Sequence, residues 1–254
     1  MLRTEQLRLG YAGHPLVHGL TLEFGAGQLW GILGRNGSGK STLLRTLAGL
    51  QAPMSGQVLF EGAPIAGIGR RRLAARLAVL LQEEAPDFWG SVNDYVLLGR
   101  HPHAQGLFAW EERDQAIAAQ ELAGQGLADL RHRAFATLSG GERQRARAAA
   151  LFAQRPRAYL VDEPLQHLDL PHQVGLLDRL RREAGAGALV VMVLHDLLLA
   201  SRYCSHVLLL AGDGGHHAGP SAQVLDAGRL GQAFGFPLRE VEAGGERLYL
   251  PQRP

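Results

Sequence analysis

The chain has 254 residues, 46% of them apolar and 20% charged, with a net charge of +2. That length suits one sizeable domain or two small ones, and so modest a charge excludes an overwhelming polyanion-binding field, although the pI is near 9.0. The single cysteine, Cys204, excludes an internal disulfide framework, and apolar runs such as ALVVMVL at 188–194 fall far short of the ~18 residues of a membrane span.

The start, MLRTEQLRLG, has no apolar core of signal-peptide length, so a soluble cytosolic chain is expected, with any membrane link made through a partner. Residues 6–24 alternate apolar and polar around Gly-His-Pro turn signals, as antiparallel strands do. QLWGIL (28–33) reads as a short buried strand, and KSTLLRTLAGL after it as a helix ended by Gly49. SGQVLFEGAPI (55–65) reads as a hairpin, and 69–82 begins helical and ends in a strand at 77–81. From 92 to 133 the periodicity is helical, with acids crowding the start of 110–123, where the helix dipole favours them. ERQRARAAALFAQ (142–154) is rich in strong helix formers and stops before Pro156. AYLV (158–161) and ALVVMVL are buried strands around the helical 171–185, and short strands with a small helical tail follow Ser201.

Alternating helices and continuously apolar strands predict an α/β fold around a parallel sheet. The N-terminal hairpins and the helical 92–133 stretch are additions to that core.

Residues 34–41, GRNGSGKS, match the phosphate-loop pattern at a strand-to-helix turn. Gly34, Gly37 and Gly39 let backbone N–H groups face phosphate oxygens at a helix N-terminus, with Asn36 and Ser38 between them. Lys40 is placed to reach the β- and γ-phosphates, and the Ser41 hydroxyl to coordinate Mg²⁺. YLVDEP puts Asp162 and Glu163 at the carboxyl end of a buried strand, where ligands of open α/β sheets sit. Asp162 fits a magnesium partner, and Glu163 a base that polarises water. In TLSGGERQRARAAALFAQ, Ser139 and Glu142 have capping-box spacing around Gly140 and Gly141. That arrangement makes a second anion-binding helix end, about a hundred residues from the first.

Together these segments resemble the ABC-transporter ATPase family, and the likeness covers nearly the whole chain. Residues 34–42, Thr42 included, look like its phosphate loop, and LSGGE (138–142) like its signature motif. YLVDEP looks like its second nucleotide motif and HLD, ending at Asp169, like its D-loop, while Leu165 and Gln166 depart from the residues common there. Gln82 sits where the Q-loop glutamine belongs, His195 where the switch histidine belongs, and Tyr11 where an aromatic stacks on adenine. The resemblance implies the family's fold, a P-loop core with a mixed sheet, an antiparallel N-terminal β subdomain and a helical insertion at about 86–155. It makes residues 1–254 a single ATPase domain with a small C-terminal segment at about 212–254.

It further implies ATP and Mg²⁺ as cofactors and a head-to-tail homodimer in which each ATP lies between one copy's phosphate loop and the other's signature helix. Ser139 and Gly141 would touch the γ-phosphate in trans. His195 would hold that phosphate and the attacking water, and Gln82 would sense the metal with Ser41 and Asp162. VNDYVLLGRHPH (92–103), GLFAWEERD and the tail at 216–236 look like the importer ATPases that serve iron–siderophore, haem and cobalamin permeases. That likeness implies a peripheral subunit on the cytoplasmic face of the inner membrane, with a substrate-binding protein as indirect partner. The permease would be met through about 83–100, where Phe88 or Trp89 could anchor it; a buried Trp89 is the competing expectation. A soluble ABC-type ATPase acting on nucleic acid or ribosomes is the alternative, and one motif set without a heptad insertion argues against it. No nucleic acid is expected as partner. The His101/His103 and His216/His217 pairs lack a third ligand at metal spacing, Arg70–Arg72 and the arginines after Glu142 read as solvated helix faces or interface residues, and Cys204 as a small buried hydrophobe.

Overall fold

The computed structural model describes residues 1–11, 14–82, 88–104, 106 and 110–252, without the side chains of residues 11, 14 and 15. In chain order the first elements are strands β1 (Leu2–Tyr11), β2 (His14–Phe24) and β3 (Leu29–Gly34), then helix α1 (Lys40–Leu47). Strands β4 (Ser55–Phe60) and β5 (Ala63–Pro64) follow, then α2 (Arg70–Ala74), β6 (Leu77–Leu80), α3 (Val92–Leu98), α4 (Glu112–Gly124) and α5 (Gly140–Ala153). The remainder is β7 (Ala158–Asp162), α6 (Leu170–Gly185), β8 (Leu189–Val193), α7 (Leu197–Tyr203), β9 (His206–Leu210), β10 (His216–Pro220), α8 (Ser221–Val224), α9 (Ala227–Phe234), β11 (Leu238–Ala243) and β12 (Glu246–Pro251).

The chain divides into two compact units. The first comprises residues 1–68, 160–163 and 180–254. Its N-terminal strands form a sheet of order β2-β1-β4-β5, antiparallel throughout. Its second sheet runs β10-β9-β3-β8-β7. Here β3 is parallel to both β8 and β9, whereas β10 is antiparallel to β9, so the sheet is mixed rather than parallel alone. Burial explains the unbroken apolar runs: every residue of β3, β7 and β8 is buried, so alternation would expose nothing useful. Gly31 sits in β3 because a Cβ there would lie 2.9 Å from the Cys204 sulfur. Cys204 is buried, and desolvation pushes its thiol pKa up to about 12, which makes it a packing residue. Gly49, in left-handed conformation at φ 69°, ends α1, and the Leu50 amide reaches back to the Arg45 carbonyl at 2.9 Å.

The second unit comprises residues 69–159 and 164–179. The helical periodicity of 92–133 resolves into α3 and α4, with short single turns at 101–103 and 128–130. These helices pack on α5 around Val96, Leu97, Ile117, Leu122 and Phe135. The acids at the start of α4 make a capping box between Glu111 and Asp114. Asp114 also holds Arg100 in a buried ion pair at 2.8 Å, and Arg100 donates to the Ala153 carbonyl at 2.8 Å.

Candidate active site

The first unit carries the phosphate loop. Strand β3 delivers the chain to Gly34, whose φ of 147° leaves a would-be Cβ 2.6 Å from the Leu210 carbonyl oxygen and 2.7 Å from Ser38 Oγ. Gly39 lies at φ 97°, and a Cβ there would meet Leu16 Cβ at 2.9 Å. The glycines are therefore demanded by close approach and by left-handed backbone together. Between them Asn36 and Gly37 are exposed and Ser38 is buried. Lys40, the one lysine of the chain, opens α1 and donates to the carbonyls of Gly34 at 2.9 Å and Arg35 at 3.0 Å. Burial lowers its pKa, opposed by the charges of Glu163 and Asp162. Ser41 and Thr42 follow, half-buried in the first turn.

Asp162 ends β7 and is 2% exposed. Among the described residues neither of its carboxylate oxygens has a hydrogen-bond partner of good geometry, nor has Ser38 Oγ. Desolvation raises the Asp162 pKa, and the neighbouring Ser41 hydroxyl draws it partly back. A buried carboxylate left without a partner costs free energy unless a cation serves it, and the Ser41 hydroxyl beside it completes a hard oxygen donor pair. Glu163, the next residue, has a φ of 47°, unusual for a side-chain-bearing residue. Its Oε1 accepts a 2.6 Å hydrogen bond from His195 Nε2, and His195 itself is half-exposed. His195 follows β8, and Asp196 after it caps α7 by accepting from the amides of Leu198 (2.8 Å) and Leu199 (3.1 Å), which sets the chain direction at the histidine.

The second unit carries the capped helix end. Ser139 Oγ accepts from the Glu142 amide at 3.3 Å and the Ser139 amide donates to Glu142 Oε2 at 2.8 Å, so the capping box read from the spacing is present. These bonds from Ser139 lower the Glu142 pKa. Ser139 and Gly140 are exposed. A Cβ on Gly140 would lie 3.6 Å from the His167 ring, and one on Gly141 3.0 Å from the His167 carbonyl oxygen. His167 itself is left-handed at φ 62°. The signature turn and the HLD segment thus lie together, a closeness their sequence separation hides. Asp169, exposed before α6, binds the His172 ring, which lowers its pKa.

Gln82 follows β6 and is exposed. The side chain of Tyr11 lies outside the described residues, as do residues 83–87 of the expected permease-facing stretch. Phe88 is half-buried against the helical core, whereas Trp89 is 95% exposed, so the indole is not core. Gln144, which sequence reasoning passed over, joins this unit's polar framework by donating from Nε2 to the Pro164 carbonyl at 2.8 Å. Arg147, expected on a solvated or interface face, is instead half-buried and donates to Gln144 Oε1 at 3.0 Å, because α5 packs where backbone carbonyl and amide acceptors lie within its reach.

A family model for the ABC transporter matches residues 17–166. The chain is 41% identical over 243 residues to the hemin import ATP-binding protein of Pseudomonas fluorescens, 94% of each being covered. It is 36% identical over 255 residues to the ferric enterobactin transport ATP-binding protein of Escherichia coli, covering 98% of this chain and 93% of that one. A solved structure described as a metal-chelate type ABC transporter in an inward-facing conformation matches with a TM-score of 0.83 at 26% identity, over 99% of this chain and 97% of that one. The chain belongs to the ABC transporter family and is one of its ATP-binding ATPases.

Proposed function

We propose that this chain is the ATP-hydrolysing subunit of an importer for an iron-bearing chelate, haem or an iron–siderophore complex, working as a head-to-tail pair. The cargo class rests on the similarity to hemin and ferric enterobactin import proteins over almost the full length. Those relatives also disfavour the nucleic-acid or ribosome alternative. No helix among the described residues is long and apolar enough to cross a membrane, so the transport path belongs to a permease partner. Trp89 and the stretch around 83–100 are the proposed contact with it, and a substrate-binding protein outside the membrane is its indirect partner.

One observation carries the dimer: Ser139 and Gly140 stand exposed at the open, positively polarised end of a 14-residue helix. Such an end is suited to a γ-phosphate delivered on the phosphate loop of a second copy. Backbone amides of residues 34–42 and Lys40 bind and orient the β- and γ-phosphates. Asp162 and Ser41 would hold Mg²⁺, with Gln82 as its sensor, and the ion would neutralise charge on the phosphate oxygens. Glu163 accepts the proton of the attacking water, and His195 holds the carboxylate and the terminal phosphate in line. Asp169 and Gly141 belong to the surface offered to the second copy.

The test is Glu163→Gln. Turnover should fall about a hundredfold or more while ATP still binds, and sedimentation with ATP should show a dimer. An ATP-saturated variant that stays monomeric overturns the pairing.

A further inference from the structure

Arg147, on α5, stands at the meeting point of three segments of the second unit. Its Nη1 donates to Gln144 Oε1 at 3.0 Å, and its Nη2 donates to the carbonyl of Leu81, the residue before Gln82. Gln144 is buried and passes the connection on to the carbonyl of Pro164, the residue after Glu163, at 2.8 Å. On the other side lies Tyr95 of α3, whose hydroxyl pKa is raised by burial and drawn back by the Arg147 guanidinium. The Tyr95 ring stacks on Phe135 at 4.0 Å and meets Phe88 edge-on at 5.4 Å. Phe88 is the chain neighbour of the exposed Trp89.

We propose that Arg147 is a positioning residue that links the Phe88–Trp89 surface and the Gln82 segment to the backbone that presents Glu163. Resting on the reading of Trp89 as the permease contact, the proposal adds the route inside this chain. A planar guanidinium can hold two acceptors at fixed angles while lying beside an aromatic hydroxyl, and an ammonium on a flexible stem cannot. Movement of the Tyr95 ring on one side therefore shifts the Gln144 amide, and with it the Pro164 carbonyl, on the other. Glu163 stands in a left-handed conformation, so a small shift of the peptide after it changes where its carboxylate points.

The test uses the isolated full-length chain with Mg-ATP and no permease. Arg147→Met keeps the length of the side chain and removes its donors. It should lower kcat about tenfold with KM for ATP unchanged. Gln144→Leu should do the same, and the double variant should fall no further, because both cut one connection. A second readout is acrylamide quenching of Trp89, taken as the difference from a matching Trp89→Phe chain in the Glu163→Gln background. ATP should change that quenching when Arg147 is present and leave it unchanged in Arg147→Met. An arginine that only stabilises the fold would lower the melting temperature and leave both kcat and the Trp89 response intact, which overturns the proposal. If Arg147→Met does not fold, Arg147→Lys, which cannot hold both acceptors at once, is measured the same way: the same losses of kcat and of the Trp89 response are expected, and retention of both overturns the proposal. Failure here leaves the permease contact standing. That reading falls separately, if Trp89→Ala retains permease-stimulated turnover.

Discussion

His195 Nε2 lies 2.6 Å from Glu163 Oε1, a bond that joins the ends of two buried strands through residues 32 apart in the chain. It fixes one carboxylate oxygen of the residue proposed as the base. The expected result for His195→Ala is a loss of kcat of about a hundredfold with ATP affinity kept, measured by steady-state turnover and equilibrium binding. A variant within about threefold of the parent would remove His195 from the chemistry.

Asp162, the proposed magnesium partner, is a destabilising carboxylate while no cation is bound. Its folded-state pKa is raised above 3.8 by desolvation. Ionisation therefore costs the folded state more than the unfolded chain. That cost is absent below the unfolded value, grows as pH climbs through the raised folded value, and is complete above it. Asp162→Asn should melt higher than the parent at pH 7 without metal, by about 2–4 °C per kcal/mol relieved, and the gap should close toward pH 4. The same variant should lose Mg²⁺-dependent turnover. A variant that melts lower at pH 7 would show that the carboxylate is paid for by its neighbours Arg45 and Lys40.

Gly34→Ala should cost both stability and nucleotide. The added methyl meets the Leu210 carbonyl oxygen at 2.6 Å, and backbone is not free to move aside. A loss of about 2–4 kcal/mol in denaturant titration is expected, with ATP binding abolished. Gly37→Ala isolates the backbone strain from the clash, because it has a φ of 79° but nothing among the described residues within 4 Å of its would-be Cβ, so its loss of stability should be the smaller.

The Arg100–Asp114 pair is 7% exposed on each side. Arg100→Met strands a buried carboxylate and should destabilise by about 3–5 kcal/mol. Adding Asp114→Leu should recover most of that, short of about 1 kcal/mol for the helix cap that Asp114 makes at Glu111. Urea unfolding of the three chains checks the cycle.

Trp89→Ala should leave the ATPase of the isolated chain unchanged and abolish its stimulation by the cognate permease. An indole 95% exposed has no packing to lose. Equal stimulation in both chains would assign the contact elsewhere.

Local chemistry was legible in the sequence wherever one segment sufficed. The glycine spacing of 34–39, the Ser139–Glu142 cap and the Gly49 stop depend on residues within a few positions of each other. Asp162 and Glu163 could be placed because a buried strand ends there. What stayed hidden needs distant partners. The left-handed backbone at Glu163 and His167, the Glu163–His195 bond and the Arg147 connections arise only when separate strands and helices pack. Trp89 could be read as core or surface, since tryptophan occurs in both, and packing decided it. The antiparallel edge strand β10 was likewise invisible to a pattern that implied a parallel sheet.

Lys40 is 6% exposed and is the chain's sole ammonium-bearing side chain, every other basic position apart from histidine being arginine. A lysine-specific endoprotease therefore finds one bond to cut, after residue 40, and meets it only when the loop comes apart. The yield of two fragments becomes a clock for opening at the nucleotide seat, and bound ATP should slow it.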